Sequence, residues 1–356
     1  MKKLNVAIIG QGRSGRDIHG AFFRSDANTL YNVAAVVDAD EKRRALALEE
    51  YPGCKVYADY RELFGVEGID LVVNSTYSNT HYSISKDLLE HGFNVLVEKP
   101  FARNYYECCD LIKTAEEKGL VLQVFQQSFC APFHTFTKEL LKSGKLGDIK
   151  QVSVYYNGFA RRWDWQTLQV KMGGNVYNTG PHPIGLALDF LDFSDETRVA
   201  FSKLDLAMTS GDAEDYAKII LTAPGKPVVD VEINSTDAFG NFNVKIQGSR
   251  GTYMATVGNY KLKYFVDSEN EARPVVYDFL HDENNMPIYC CEKLVAHEES
   301  GDFQGTPFDV GTRLIYDMLY YKITEGKEMS VTPQMAAKIV NVIETVHAQN
   351  PLPVKF

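Results

Sequence analysis

Tryptophan is nearly absent from this 356-residue chain: 2 residues, Trp163 and Trp165, stand against 20 Tyr and 20 Phe. Cysteine is also sparse. The 6 cysteines (Cys54, Cys108, Cys109, Cys130, Cys290 and Cys291) form no CxxC pair and no zinc-ligand spacing, so free thiols and no metal site are expected. No apolar run reaches the roughly 18 residues of a membrane span, so no membrane partner is expected. Met1-Lys2-Lys3-Leu4 leads straight into a short apolar strand. A secretory signal would have a longer apolar region and a small-residue cleavage site, so a cytoplasmic location is expected. Positive charge is in deficit, with 37 Lys and Arg against 47 Asp and Glu, a net −10. A nucleic-acid binder would show a basic footprint, so that partner is excluded.

What is present is ordinary globular material. Hydrophobic residues make up 45% and charged residues 24%, which excludes wholesale disorder. At roughly 100–200 residues per domain the length suggests two domains. Val6–Ile9, Val33–Val37, Leu71–Val73, Val95–Val97 and Val121–Phe125 read as short buried strands. Between them Arg13–Arg24, Glu41–Glu50, His81–His91 and Tyr105–Lys118 read as helices. This alternation predicts a parallel sheet with right-handed crossovers. After about residue 125 the pattern changes. Phe133–Lys142 and Gly174–Phe190 read as helical, and strand-like segments follow at 150–157, 197–208, 216–222, 228–235, 242–247, 251–256 and 260–266. Several alternate in polarity, as an antiparallel sheet with one exposed face should. The stretch 267–305 reads as long polar loops, and helices return at 311–323 and 333–347. The expected class is α/β: a dinucleotide-binding domain over 1–125 and an α+β domain over 126–356, whose C-terminal helix packs back on the first.

Gly10-Gln11-Gly12-Arg13-Ser14-Gly15 is a GxGxxG turn between a strand and a helix. That context makes it a dinucleotide-binding signature. The first glycine allows the tight turn, the second lets the backbone approach a pyrophosphate, and the third lets helix and strand pack closely. The helix N-terminus, with Arg13 and Ser14, offers N–H groups and a positive dipole to the phosphates. It would offset locally the acidic balance of the chain. Asp38 ends the next strand, where a carboxylate accepts both hydroxyls of the adenosine ribose and repels a 2′-phosphate. NAD is therefore the expected cofactor, with NADP as the alternative. Arg43 and Arg44 are read as solvated helix charges.

Glu98-Lys99-Pro100 follows the strand Val95–Val97. Ligands of open parallel sheets bind beyond the carboxyl ends of the strands, which places Lys99 where a nicotinamide or a substrate hydroxyl would lie, with a solvated loop lysine as the alternative. From here the sequence resembles the glucose–fructose oxidoreductase, inositol dehydrogenase and MocA group of nicotinamide-dependent oxidoreductases. The resemblance is carried by Gly10–Gly15, Asp38, Thr76 and His81 in STYSNTH, Glu98-Lys99-Pro100, GGNVYNTGPH at 173–182 and GSRG at 248–251. It implies a Rossmann domain followed by a second domain with a large, mostly antiparallel open sheet. It also implies a homodimer or homotetramer, a sugar or polyol substrate, Lys99 touching the reacting hydroxyl, and Thr76, His81 and Glu98 near the cofactor.

Asn178 and His182 are four apart and share a face if the segment is helical. Pro181 and Pro183 argue instead for a kink or a new helix start at the histidine. Near a helix N-terminus imidazolium is disfavoured, leaving the neutral form a general base needs. The family pattern has an aspartate where this chain has Asn178, a glycine at Met172 and an aspartate at Gly185. Thr76-Tyr77-Ser78 stands for Thr-Pro-Asn, and Gln126–Phe129 for Asn-Arg-Arg-Phe or Trp. Arg161, Arg162 and Asp164 are candidate hydroxyl ligands. If 161–165 is extended, Trp163 and Trp165 share a face, and an indole such as Trp165 can stack on a sugar ring.

The expected reaction interconverts a secondary alcohol and a ketone on a sugar, glycoside or cyclitol. His182 takes the hydroxyl proton, Lys99 stabilises the developing alkoxide, and Asn178 positions the substrate. Two alternatives stand beside it. One is an enzyme with tightly bound, recycled NAD that acts through a transient keto-sugar in elimination or epimerisation. The other is a non-catalytic dinucleotide or sugar sensor.

Overall fold

The computed structural model describes residues 2–356. The amino-terminal strands are β1 (Leu4–Ile9), β2 (Tyr31–Val37), β3 (Lys55–Tyr57), β4 (Leu71–Asn74), β5 (Val95–Val97) and β6 (Leu122–Val124). All pair in parallel, in the order β3-β2-β1-β4-β5-β6. Parallel pairing follows from strands that are apolar on both faces and linked by helices. Leu71, Val72 and Val73, for example, are fully buried. The order reverses between β1 and β4, so a crevice opens beyond their carboxyl ends.

The helices of this half are α1 (Gly20–Arg24), α2 (Glu41–Glu50), α3 (His81–Glu90) and α4 (Tyr105–Lys118). Asp40 caps α2 through the Lys42 N–H. Asn104 caps α4 through the Glu107 N–H, and Gly119 ends it in the left-handed conformation. The single helix expected over 13–24 begins instead as a π-helix, Arg13–His19, which runs into α1. Strand β3 was not foreseen. It is a three-residue edge strand, too short for a periodicity signal, held by pairing to Ala35, Val36 and Val37 of β2.

The second half begins with α5 (Pro132–Lys142), β7 (Ile149–Asn157), α6 (Asn175–Asn178) and α7 (Pro181–Phe190). Strands β8 (Arg198–Asp205), β9 (Tyr216–Thr222), β10 (Val228–Asn234), β11 (Val244–Gly248), β12 (Gly251–Ala255) and β13 (Asn259–Phe265) follow. A two-stranded ribbon, β14 (Leu280–His281) and β15 (Pro287–Ile288), precedes β16 (Ala296–Asp302). The eight-stranded sheet runs β16-β13-β12-β11-β7-β10-β9-β8. It is antiparallel throughout except for the β7–β10 pair. This is the mostly antiparallel sheet expected.

Two expectations need correction here. Residues 267–305 are not all loop: β16 pairs along its length with β13, Leu262 opposite Glu299. Its sequence, AHEESGD, carries no apolar alternation, because an edge strand held by backbone bonds needs none. The helix expected over 174–190 is broken at Thr179-Gly180, and Pro181 starts α7 afresh.

Helices α8 (Thr312–Glu325) and α9 (Pro333–Gln349) close the chain. From α8, Ile315, Tyr316 and Leu319 join the core under the first sheet. The apolar residues of α9 are shared between two cores. Ala336, Ala337 and Val340 enter one face of the parallel sheet, while Ile339, Val342, Ile343 and Val346 enter the core under the eight-stranded sheet. A helix apolar on two faces is buried on both, so α9 ties the two sheets together and fixes the cleft between them. No helix of the described residues is long and apolar enough to cross a membrane.

Candidate active site

The cleft is built where β1, β4 and β5 end. Gly10 leaves β1 with φ +90°, and its N–H bonds the Val37 carbonyl at 2.8 Å. A side chain at Gly10 would lie 2.7 Å from the Ser75 carbonyl, and one at Gly15 would lie 1.7 Å from the Gly10 carbonyl oxygen. At Gly12 a side chain would meet nothing within 4 Å. The turn is therefore closed at its first and third glycines and open at its second. Arg16 N–H is the first to find a helical partner, the Gly12 carbonyl at 2.9 Å. The N–H groups of Gly12, Arg13 and Ser14 are left for a ligand.

Asp38 at the end of β2 is bound from both sides. Its Oδ2 accepts the Gln11 N–H at 2.7 Å and its Oδ1 the Asp40 N–H at 2.9 Å. Arg43 was read as a solvated charge. It is exposed on α2, and its guanidinium also lies 3.5 Å from the Asp38 carboxylate and lines the cavity. Arg44 donates to the carbonyls of Asp38 and Ala39 and stiffens the loop.

At the end of β5, the Lys99–Pro100 peptide is cis. Lys99 is half-buried and its ammonium donates to the Asn178 backbone carbonyl at 2.8 Å. Burial lowers the Lys99 pKa, and Arg13 and Arg162 add to that against the opposing pull of Glu98. Glu98 is buried, and both oxygens are spoken for. Oε2 accepts the Lys99 N–H at 3.1 Å, and Oε1 lies 3.2 Å from His19 Nε2. Burial alone would raise this carboxyl. The hydrogen bond from His19 and the charge of Lys99 outweigh it and hold the pKa down at about 2. His19 is completed by the Tyr316 hydroxyl, 2.8 Å from Nδ1. Glu98 thus buttresses Lys99 from below while one edge reaches the cavity.

A cavity of 470 Å³ occupies this crevice, within the size range of small-molecule sites. Of the residues singled out from sequence, Gly10, Gly12, Arg13, Ser14, Asp38, Thr76, His81, Glu98, Lys99, Arg162, Asp164, Trp165 and Asn178 line it. Gly15 is buried beneath the turn. Arg161 is exposed and outside the lining, and His182 is not among the lining residues either. Trp163 and Trp165 do not share a face. Trp163 is 79% exposed, whereas Asp164 caps a short turn that swings Trp165 edge-on to Tyr77, ring centroids 5.0 Å apart. His81 is buried, with Nδ1 2.7 Å from the Pro100 carbonyl, and it ties α3 to the lysine loop.

Sequence reading missed two contacts. Gln166 donates to the Asn178 side-chain oxygen at 2.6 Å, and Ser128 Oγ lies 3.2 Å from His182 Nδ1. Gln166 adjoins the 161–165 segment and Ser128 lies within Gln126–Phe129, but spacing alone gave no sign of the partner of either. His182 stands in the first turn of α7, half-buried. Burial and then the charge of Lys99 push its pKa down to about 3. It rests as neutral imidazole.

Family comparison agrees with this geometry. Residues 4–126 match the family described as an oxidoreductase family with an NAD-binding Rossmann fold, and residues 134–254 match the GFO/IDH/MocA C-terminal domain. The uncharacterized oxidoreductase YhhX of Escherichia coli is 31% identical, over 91% of this chain and 90% of its own. The chain belongs to the GFO/IDH/MocA oxidoreductases.

Another relative, the scyllo-inositol 2-dehydrogenase (NADP(+)) IolW of Bacillus subtilis, is 27% identical over 97% of this chain and 92% of its own. The crystal structure of GenD2 from gentamicin A biosynthesis, in complex with NAD, superposes with a TM-score of 0.76 at 20% identity, covering 98% and 94% of the two chains. That likeness shows a shared fold. The GFO/IDH/MocA cofactor, NAD, fits the residues present, because the turn is open only at Gly12 and leaves unpaired N–H groups there.

This GFO/IDH/MocA chain also accommodates its unusual residues. Met172 takes the left-handed conformation, φ 55°, with its side chain buried. Behind it Gly174 passes so close to Glu214 that a side chain would sit 2.4 Å from the carboxylate. At Gly185 a side chain would meet Phe129 and Ile339 at 3.0 Å, so any larger residue there requires those two side chains to shift.

Proposed function

We propose that this oxidoreductase interconverts a secondary alcohol and a ketone on a sugar, glycoside or inositol-like cyclitol, with NAD as the preferred cofactor. The observation that carries the reading is Lys99. It is an ammonium at the carboxyl end of β5, fixed to the Asn178 carbonyl and facing the cavity that begins at the glycine turn. In this reading residues 1–125 hold the cofactor and 126–356 hold the substrate.

When bound, the nicotinamide supplies the hydride acceptor. Gly12, Arg13 and Ser14 would hold the diphosphate by backbone N–H groups and the charge of Arg13, at the tight turn that Gly10 allows. Asp38 accepts the ribose hydroxyls, Thr76 and His81 wall the cofactor side, and Glu98 keeps Lys99 in place. Lys99 donates to the reacting oxygen and stabilises the charge that grows as its proton leaves. His182 accepts that proton. Lys99 and His182 do not carry charge together easily. Proton transfer to the imidazole is therefore coupled to the ammonium sharing its charge with the substrate oxygen. The Asn178 amide, its oxygen held by Gln166, keeps its N–H donors for a hydroxyl. Arg162, Asp164 and Trp165 supply two polar groups and an apolar wall for a polyol ring.

The test is NADH formation across inositols, free sugars and glycosides, with NAD and NADP in parallel. Accumulating NADH with at least one polyol is the expected result. Substrate consumption without NADH would replace it by the recycled-cofactor reaction, and no reaction with any polyol would overturn the substrate class.

A further inference from the structure

His182 has a single side-chain partner among the described residues, and it is not the asparagine four positions before it. The Asn178 side-chain oxygen is taken by Gln166 at 2.6 Å, and its backbone carbonyl by Lys99 at 2.8 Å. The imidazole Nδ1 faces Ser128 Oγ at 3.2 Å instead. Ser128 is 3% exposed, in the short turn Gln127–Cys130 that follows β6. The turn itself is pinned, since the Ser128 carbonyl accepts the Ala131 N–H at 3.2 Å. On its other side the ring lies near Tyr156, centroids 6.5 Å apart, and Lys99 and Glu98 are the charged groups that act on it.

We propose that Ser128 is a positioning residue that fixes the tautomer of His182, accepting a hydrogen bond from Nδ1–H and leaving the Nε2 lone pair to receive the substrate proton. The proposal rests on the reading of His182 as the proton acceptor and adds a residue to it. Its logic is hydrogen-bond inventory. A neutral imidazole has one donor and one acceptor nitrogen, and which is which depends on the partner of the fixed one. A hydroxyl can accept from Nδ1–H before proton transfer and go on accepting from the same N–H when the ring becomes imidazolium. It does so without adding a negative charge. A carboxylate in that place would draw the proton on to the ring at rest and neutralise part of the field of Lys99. A serine keeps the imidazole neutral until substrate is present. The low resting pKa of the ring, set by burial and Lys99, agrees with a neutral partner.

The test reads the tautomer directly. Full-length protein labelled with 15N-histidine is examined by two-bond nitrogen–proton correlation near neutral pH, with His182 identified by the signals lost in His182→Gln. The expected result is a protonated Nδ1 and an unprotonated Nε2 in the wild type and in Ser128→Thr. In Ser128→Ala the Nε2–H form becomes populated, while the shifts of the other histidines stay in place and report an intact fold. An Nε2–H tautomer in the wild type overturns the proposal without any variant, and an unchanged His182 pattern in Ser128→Ala overturns it as well. With a polyol that the wild type oxidises, Ser128→Ala lowers kcat about tenfold with KM changed less than about twofold, a part of the usual acid–base contribution. If His182→Gln oxidises that polyol at the wild-type rate, the catalytic reading fails, and the tautomer result stands apart from it.

Discussion

The ammonium of Lys99 donates to the backbone carbonyl of Asn178 at 2.8 Å, joining the end of β5 to the end of α6 across the cleft. The same charge bears on His182, whose pKa is pushed down to about 3 by burial first and by Lys99 second. Lys99→Met removes the second cause and leaves the first. The His182 pKa then rises above about 3 and stays below the ordinary 6.5. Titration of the His182 ring by NMR in both proteins checks this, and an unchanged value would mean that the two groups do not interact.

The glycine turn gives two variants with opposite signatures. Gly15→Ala drives a methyl into the Gly10 carbonyl, 1.7 Å away, so the turn must open and the protein loses thermal stability as well as cofactor binding. Gly12→Ala points its methyl into open space. Its melting temperature stays close to wild type while NAD affinity falls at least about tenfold, because the methyl occupies the approach of the diphosphate. Calorimetric melting and NAD titration separate the two.

On the proposed reading, Asp38 and Arg43 set the cofactor preference together. Their groups are 3.5 Å apart at the adenosine end of the cavity. Asp38→Ser removes the acceptor of the ribose hydroxyls and frees the guanidinium for a 2′-phosphate. The expected outcome is a fall in kcat/KM for NAD and a rise for NADP, and Arg43→Ala in the same background abolishes the gain. Steady-state rates with both cofactors decide it. A wild-type preference for NADP would contradict the role given to Asp38.

Much of this was legible in sequence. The alternation of short apolar strands and helices, the GxGxxG turn, Asp38 and the strand-end Lys99 all carry local signals, and each lies on the crevice of the parallel sheet. The polar edge strand β16 was not legible, because its stability comes from backbone pairing with β13. Nor were the contacts of Ser128 and Gln166, whose partners are 54 and 12 residues away and are met only in the folded chain. Arg161 and Trp163 looked equivalent to their neighbours in sequence. A capped turn at Asp164 turns Trp165 inward and leaves those two in solvent.

The buttress under Lys99 predicts a stability change away from the cavity. Tyr316 is fully buried, stacks on Phe22 with centroids 4.6 Å apart, and completes His19 by its hydroxyl. Tyr316→Phe keeps the stack and leaves a buried imidazole nitrogen unpaired, which costs about 1–3 kcal/mol. Urea unfolding measures it, and a loss well below 1 kcal/mol would show that His19 finds another partner.

At the C-terminal end of α9, the pH dependence has a definite sign. Burial disfavours a charged His347, but its hydrogen bond to Glu214 and the charge of that carboxylate outweigh it and raise the histidine pKa. A raised folded pKa contributes stability that is fully present below the ordinary 6.5 and is lost as pH rises through the raised value. His347→Gln therefore destabilises most at mildly acid pH, and the difference from wild type shrinks toward alkaline pH. Urea midpoints across that range check the direction.

The most direct measurement of the central claim is the first turnover. Wild type, Lys99→Ala and His182→Ala, each saturated with NAD, are mixed with a polyol identified in the substrate panel, and NADH appearance is followed by stopped flow. The account predicts NADH formation in the wild type, and rates at least about a hundredfold lower in both variants, with NAD affinity within about threefold of wild type. Equal first-turnover rates in the three proteins would contradict it.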